Sequence, residues 1–235
     1  MLDSNQFEPM DDVAFDVAER KLRKELLDAQ FDFTEAGTET LLVLVNGPDG
    51  AGKGEVLNRL NEWLDPRGVR AMAYDINDAE EGRRAGGWRY WRDLPAKGTI
   101  GIVLGSWYHV MLLRRATKAL DRKAFLTTLE RVNRIEAMLG DEGVRIVKIW
   151  LDLTADKAAA RFRKKSKGPG GYKKPLVVEW GVIDTKKERR RMVKAAHEMV
   201  HATGPKDVPW SVVPASDPLA RDLEVGRLVL AALNA

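Results

Sequence analysis

The stretch "ETLLVLVNGPDGAGKGE", residues 39–55, decides how the chain folds. Its first part, Leu41 to Val45, is short and wholly apolar, the pattern of a parallel strand buried on both faces. It runs directly into glycines. Gly47, Gly52 and Lys53 fit the phosphate-loop pattern GxxxxGK[ST], with Gly54 in place of the final Ser or Thr. From Lys53 to Leu64 the spacing of Val56, Leu60 and Leu64 predicts an amphipathic helix, closed by Asp65-Pro66. A glycine-rich strand-to-helix turn aims several backbone N–H groups at one point, and the helix N-terminus adds partial positive charge there. Lys53 supplies a full charge for the outer phosphates. The plainer alternative is a tight turn whose lysine is merely solvated. The position between an apolar strand and an amphipathic helix is the context the motif requires.

Gly54 lacks the hydroxyl that helps to hold magnesium in ordinary phosphate loops. Asp49 lies inside the loop instead, and a carboxylate oxygen is the donor type Mg2+ prefers. A turn-forming role is its bland alternative.

Working outward, residues 12–33 read as an amphipathic helix with Ala18, Leu22, Leu26 and Ala29 on one face. "VRAMAYDIN", "GTIGIVLGS", "VRIVKIWLDLT" and "VPWSVVPAS" are four further strand candidates. Helices are expected at about 108–139, 155–166, 184–202 and 217–233. Strand alternating with helix implies a parallel sheet covered on both faces, an α/β three-layer sandwich. No internal repeat or dividing linker is visible. The expected organisation is a helical extension, residues 1–39, followed by a domain over 40–235.

At 235 residues, 44% hydrophobic and 31% charged, the composition is that of a soluble globular protein. No apolar run approaches the ~18 residues of a membrane span. The acidic start "MLDSNQFEPMDD" is unlike a secretory leader. With no cysteine there is no thiolate or disulfide chemistry, which suits a cytoplasmic location. The net charge of +4 is uneven: residues 161–191 hold twelve Lys or Arg against three acids. Such a focused field favours a polyanion, whether nucleic acid, an acidic lipid surface or phosphate chains. No nucleic-acid reading motif accompanies it, so neither nucleic acid nor membrane is the expected partner.

Several motifs, in order, make the chain resemble the family-2 polyphosphate kinases. They are the loop in its GxDxxGKG form (Asp49 with Gly54), "LDPRGVR" (64–70), "WRYWRDLPAKG" (88–98), "SWY" (106–108) and "VPWSVVPASD" near the end. The similarity covers about residues 40–233. It implies a P-loop kinase-like fold with a basic lid at about 161–184. It also implies phosphoryl transfer between inorganic polyphosphate and AMP, ADP or ATP, with Mg2+, in a homo-oligomer. By that resemblance Asp49 binds metal and acts with Lys53 in catalysis. Gly47, Gly50, Ala51, Gly52, Lys53 and Gly54, with Arg67, Arg89 and Arg92, contact phosphate. Arg161, Arg163, Lys164, Lys165, Lys173 and Lys174 form the lid, hinged in a mobile "KKSKGPGGYKKP" loop. From the residues alone, that run also reads as a solvated charged loop, and the Tyr90-Trp91 pair as core.

One departure stands out. Where the family carries Asp-Arg before its Ser-Trp-Tyr, this chain has Leu104-Gly105. The same loss is typical of the N-terminal half of the two-domain polyphosphate:AMP phosphotransferases. It would remove a metal anchor and a bidentate phosphate donor, which leaves a binding or assembly domain without turnover as the second reading. Asp152 is a conceivable substitute carboxylate, with a surface or capping role the expected one. A remote third reading is a zinc protease, because "HEMVH" (197–201) fits H-E-x-x-H, with His109 or Glu224 as third ligand.

Overall fold

A computed structural model describes residues 9–74, 87–154, 156–157, 160–161, 185–204 and 208–235. The elements run α1 (Asp12–Ala36), β1 (Thr40–Asn46), α2 (Lys53–Trp63), β2 (Val69–Ala73), α3 (Trp88–Arg92), β3 (Ile100–Leu104) and α4 (Trp107–Ala116). They continue with α5 (Arg122–Asp141), β4 (Val144–Asp152), α6 (Lys186–Ala202), β5 (Trp210–Pro214) and α7 (Pro218–Leu233).

The five strands form one parallel sheet in the order β2-β3-β1-β4-β5. β1 is central and buried along its whole length. Because successive strand residues face opposite ways, it feeds two cores. Leu41, Val43 and Val45 join α1, α2 and α7 through Leu26, Phe33, Leu60, Trp63, Leu223 and Val229. Leu42 and Leu44 join α4, α5 and α6 through Tyr108, Leu112, Phe125, Leu129, Ala196 and Met199. This is the three-layer α/β sandwich the alternation predicts. The N-terminal helix α1 packs into the first core. It starts at Asp11, whose carboxylate accepts the Ala14 N–H, and stops at Gly37 in the left-handed region (φ 58°).

The differences from expectation have local causes. The helix expected at 108–139 is two helices. The chain breaks at residues 117–121, where Lys118 has φ 66° and Asp121 caps α5 by accepting the Ala124 N–H. "LDRK" carried that start signal, hidden because apolar periodicity continues on both sides. β2 ends at Ala73, and residues 75–77 of its expected span lie outside the described residues. So does most of the 155–166 helix, of which 156–157 and 160–161 are helical. α6 starts with a capping box in which Thr185 and Glu188 satisfy each other's backbone.

Candidate functional site

The loop between β1 and α2 lies at the carboxyl edge of the sheet. Register places the end of β1 between the ends of β3 and β4: Val45 pairs with Leu104, and Asn46 with Trp150. The connections from β1 and β3 leave toward opposite sides here, the type of crevice in which open α/β sheets bind ligands.

Each glycine of the loop has its own reason. Gly50 (φ 87°) and Gly52 (φ 98°) adopt left-handed backbone. A Cβ on Gly47 would stand 2.8 Å from the Leu151 carbonyl oxygen of β4. Gly54 is different: a Cβ there would meet nothing within 4 Å. The Ala51 N–H is taken by the Pro48 carbonyl, 3.1 Å away, which tightens the turn. α2 has Gly52 as its N-cap and no side-chain cap. Its first N–H groups therefore face the loop's concavity without a capping oxygen, a ready anion site.

Lys53, in the first turn of α2, folds back over the loop. Its Nζ donates to the Gly47 carbonyl at 2.8 Å, the Pro48 carbonyl at 3.3 Å and the Asp49 carboxylate at 3.3 Å. Its side chain is 11% exposed and that of Asp49 is 35% exposed. A charged, half-desolvated pair at the mouth of an amide-lined turn can exchange its carboxylate contact for phosphate oxygens. The carboxylate could hold a cation, with phosphate oxygens and water completing the shell. Among the described residues no three His, Cys, Asp or Glu side chains converge on a metal position.

The neighbouring strand ends are built otherwise. Leu104 is buried in the first core and Gly105 has φ 66°. Ser106, the N-cap of α4, is fully buried and donates its Oγ–H to Asn46 Oδ1 at 3.0 Å, tying the end of β3 to that of β1. Trp107 Nε1 and the Tyr108 hydroxyl both donate to Glu136 Oε1, at 3.0 and 2.6 Å. Lys148, in the middle of β4, donates to Glu136 Oε2 at 2.8 Å and to the Thr203 carbonyl. Burial pushes the Lys148 ammonium below its usual range against the pull of Glu136, and burial raises the Tyr108 phenol. The surface position expected of Asp152 is not the one it has. It is buried at the end of β4, and Thr154 caps the next helical turn by accepting the Lys157 N–H at 3.4 Å.

The expected arginines fall in different places. Arg67 precedes β2, at the amino edge of the sheet, with its side chain 89% exposed and clamped to Asp65. The fold does not bring it to the loop. Arg89 is buried, lying over the rings of Tyr74 and Tyr90 at 5.4 and 5.0 Å and donating to the Tyr90 hydroxyl at 3.0 Å. Arg92 is exposed, paired with Asp93 at 2.8 Å and stacked on Trp88. Tyr90 is core and Trp91 is exposed, so that pair divides between the two roles. Arg161 spans from the helix after β4 to the loop after β5, donating to the carbonyls of Ala215 and Ser216 at 2.7 and 2.6 Å. Arg163, Lys164, Lys165, Lys173 and Lys174 lie outside the described residues.

Four residues of this region carry roles that the sequence does not announce, Arg221 foremost. Arg221 of α7 is fully buried beneath the loop, and its guanidinium bonds the Ala51 carbonyl, Glu55 and Asp222. Nothing in "DPLARDLEV" marks it apart from an ordinary helical arginine. Asn46 and the Glu136–Lys148 pair were also missed. A lysine inside the apolar run "RIVKIWLDL" was the available signal for the latter. The zinc-protease reading gains no support. Glu198 pairs with Arg122 at 3.0 Å, and Glu224 is on α7, across the sheet from the histidines of α6.

Comparison with known proteins agrees with this architecture. The family model described as Polyphosphate kinase 2 (PPK2) matches residues 10–235. The chain belongs to that family. It is 34% identical over 226 residues to the polyphosphate:AMP phosphotransferase of Pseudomonas syringae pv. tomato, covering 96% of this chain and 45% of that one. It thus spans about half the length of that relative. The AMP/ADP-polyphosphate phosphotransferase of Meiothermus ruber is 25% identical, with 97% of this chain and 87% of the relative covered. In fold, the crystal structure of polyphosphate kinase 2 from Arthrobacter aurescens TC1 superposes with a TM-score of 0.86 at 23% identity, over 99% of this chain and 82% of that one. The fold is P-loop kinase-like. No helix among the described residues is long and apolar enough to cross a membrane.

Proposed function

We propose that this chain is a phosphotransferase domain that moves phosphoryl groups between inorganic polyphosphate and AMP or ADP. One observation carries the reading. A glycine loop at the carboxyl edge of a parallel sheet holds Lys53 Nζ within 3.3 Å of Asp49, over a helix start that has no side-chain cap.

In this reading the loop amides and Lys53 take the oxygens of the polyphosphate end. Lys53 neutralises charge that spreads over the transferring group, and positioning of the two phosphates supplies most of the acceleration. Asp49 faces the acceptor phosphate and orients it. Mg2+ is the cation that fits a lone carboxylate shared with phosphate oxygens, and when bound it would offset the charge on the donor and acceptor phosphates. Arg92 adds positive charge, the twelve Lys and Arg of residues 161–191 give the sequence the charge a polyanion calls for, and Arg161 donates to the loop after β5. Assembly with a second copy is part of the proposal, and α1 exposes Val13, Val17 and Phe31 to solvent.

A second reading, binding without turnover, has its own observation. Leu104 and Gly105 leave neither a carboxylate nor a guanidinium at the end of β3. The deciding experiment follows ADP and ATP formation from polyphosphate with AMP or ADP and magnesium, alongside calorimetric titration with tripolyphosphate. Turnover by the natural chain that falls by about two orders of magnitude or more in Asp49→Asn and in Lys53→Met is expected. Tight binding with no product would establish the second reading. Turnover unaffected by either substitution would remove the loop from the chemistry.

A further inference from the structure

The residue beneath the loop has no part in the reaction just described, yet its chemistry is specific. Arg221 lies in the first turn of α7 with its side chain 1% exposed. Its Nη1 donates to the Ala51 carbonyl at 3.1 Å and to Glu55 Oε2 at 3.1 Å. Its Nε and Nη2 both reach Asp222 Oδ1, at 2.8 and 2.7 Å. The guanidinium lies so close under Gly52 that a Cβ there would be 1.9 Å from Nη1. Arg59 approaches the other oxygen of Asp222 at 3.8 Å and reaches Glu19 of α1 at 3.2 Å, so the cluster joins α1, α2, α7 and the loop.

Burying a guanidinium costs several kcal/mol before its partners are counted, and a methionine or leucine would fill this space without that cost. What only the guanidinium does is hold the Ala51 carbonyl. A trans peptide places its N–H opposite its C=O. Drawing the Ala51 oxygen toward the core therefore turns the Gly52 N–H away from it. The second task concerns charge. Glu55 is in the first turn of α2, where its carboxylate would repel a polyanion, and Arg221 holds it.

We propose that Arg221 is the positioning residue of the phosphate loop. It sets the Ala51–Gly52 peptide so that the Gly52 amide faces phosphate oxygens, and it holds Glu55 away from them. The inference rests on the phosphate-loop reading above and deepens it, in that loop geometry is set from α7, about 170 residues away in sequence. It also gives a reason, beside its φ of 98°, why a side chain at position 52 is unfavourable. The planar fork holds its acceptors in one fixed plane and pairs with Asp222 through two of its nitrogens, a geometry that a lysine's single nitrogen does not reproduce.

The test uses the full chain with Arg221→Lys and Arg221→Met, at matched folded fraction checked by melting. The first readout needs no ligand: amide hydrogen exchange at Ala51 and Val56, whose N–H groups the Pro48 and Gly52 carbonyls hold, with β1 as internal reference. We expect exchange there to quicken ~10-fold or more in Arg221→Met and by less in Arg221→Lys, with β1 unchanged. The second readout is the Kd for tripolyphosphate, expected to rise ~10-fold in Arg221→Met, with partial rescue by lysine. Loop exchange equal to that of the natural chain in the folded Arg221→Lys and Arg221→Met proteins overturns the proposal. If Arg221→Met does not fold, Arg221→Lys alone decides by the same exchange criterion. Should the natural chain fail to bind tripolyphosphate while its loop exchange still depends on Arg221, the polyphosphate reading fails and the positioning role stands. If the natural chain binds and both variants match it in exchange and affinity, only the positioning role fails.

Discussion

Two helices start side by side from the carboxyl edge of the sheet, α2 after β1 and α4 after β3, and neither is capped by a side chain. The helices α1, α5, α6 and α7 are all capped, by Asp11, Asp121, Thr185 and Asp217. The five-residue α3 is also uncapped, with Gly87 at its N-cap, and among the longer helices α2 and α4 lack a cap in opposite ways. At α2 the capping position is Gly52, with no side chain, and the loop before it supplies Lys53 and Asp49. At α4 the position is Ser106, whose hydroxyl is spent on Asn46, after an apolar Leu104 and a left-handed Gly105. The first end is shaped for an anion. The second is shaped for packing, and it is held rigid by the Glu136–Lys148 pair beneath Trp107 and Tyr108. By the family resemblance the second end is expected to carry a carboxylate and an arginine, and here it carries an apolar side chain and a glycine instead.

The comparison can be broken from either side. The largest effect is expected in the support of the β3 end. Lys148→Met strands the buried Glu136 charge and should lower stability by about 4 kcal/mol, read by denaturant unfolding. Near-natural stability would mean the pair is not what fixes that end. Next, Leu104→Asp loses core packing and buries a carboxylate, at a cost of about 3 kcal/mol. A melting temperature that recovers with millimolar magnesium in this variant, but not in the natural chain, would show the metal position restored. At the β1 end, Gly52→Ala meets both the φ of 98° and the Arg221 guanidinium, and should cost about 2 kcal/mol. Combination with Arg221→Met should cost less than the sum of the two single changes, because the clash is shared.

Smaller effects sharpen the contrast. Gly105→Arg, the second half of any reversion toward the family's Asp-Arg, places a side chain at φ 66° and should cost about 1 kcal/mol. A restored pair is therefore expected to need a shift of backbone as well as new side chains, and an unperturbed melt would show that the backbone relaxes freely. The smallest effect is at Gly54. A Cβ there meets open space, so Gly54→Ser should change stability by no more than about 0.5 kcal/mol. Its glycine is then a matter of function or history, unlike that of Gly52. A loss of several kcal/mol would contradict that.

Much of this was legible along the chain. The five strands and the long helices follow from apolar runs and helical spacing, because a doubly covered parallel sheet imprints both periods on neighbouring residues, whereas the five-residue α3 was not expected. The α4–α5 break was not, since Asp121 interrupts a stretch whose apolar spacing is continuous. Of the site, the loop and Lys53–Asp49 could be read, being contiguous. The arginines could not be sorted. Arg67, Arg89, Arg92 and Arg161 look alike in sequence, yet one lies at the far edge of the sheet, one is buried among tyrosines, one pairs with its neighbour and one braces a loop.

The sequence by itself determined the loop, because its donors lie within eight residues and glycine permits the required backbone whatever surrounds it. Only the tertiary structure decided what stands under and beside it: Arg221 from α7, Asn46 against Ser106, and Glu136 against Lys148. Those contacts join residues 12 to 170 positions apart. They are fixed by strand order and helix packing, which no local pattern of residue types records.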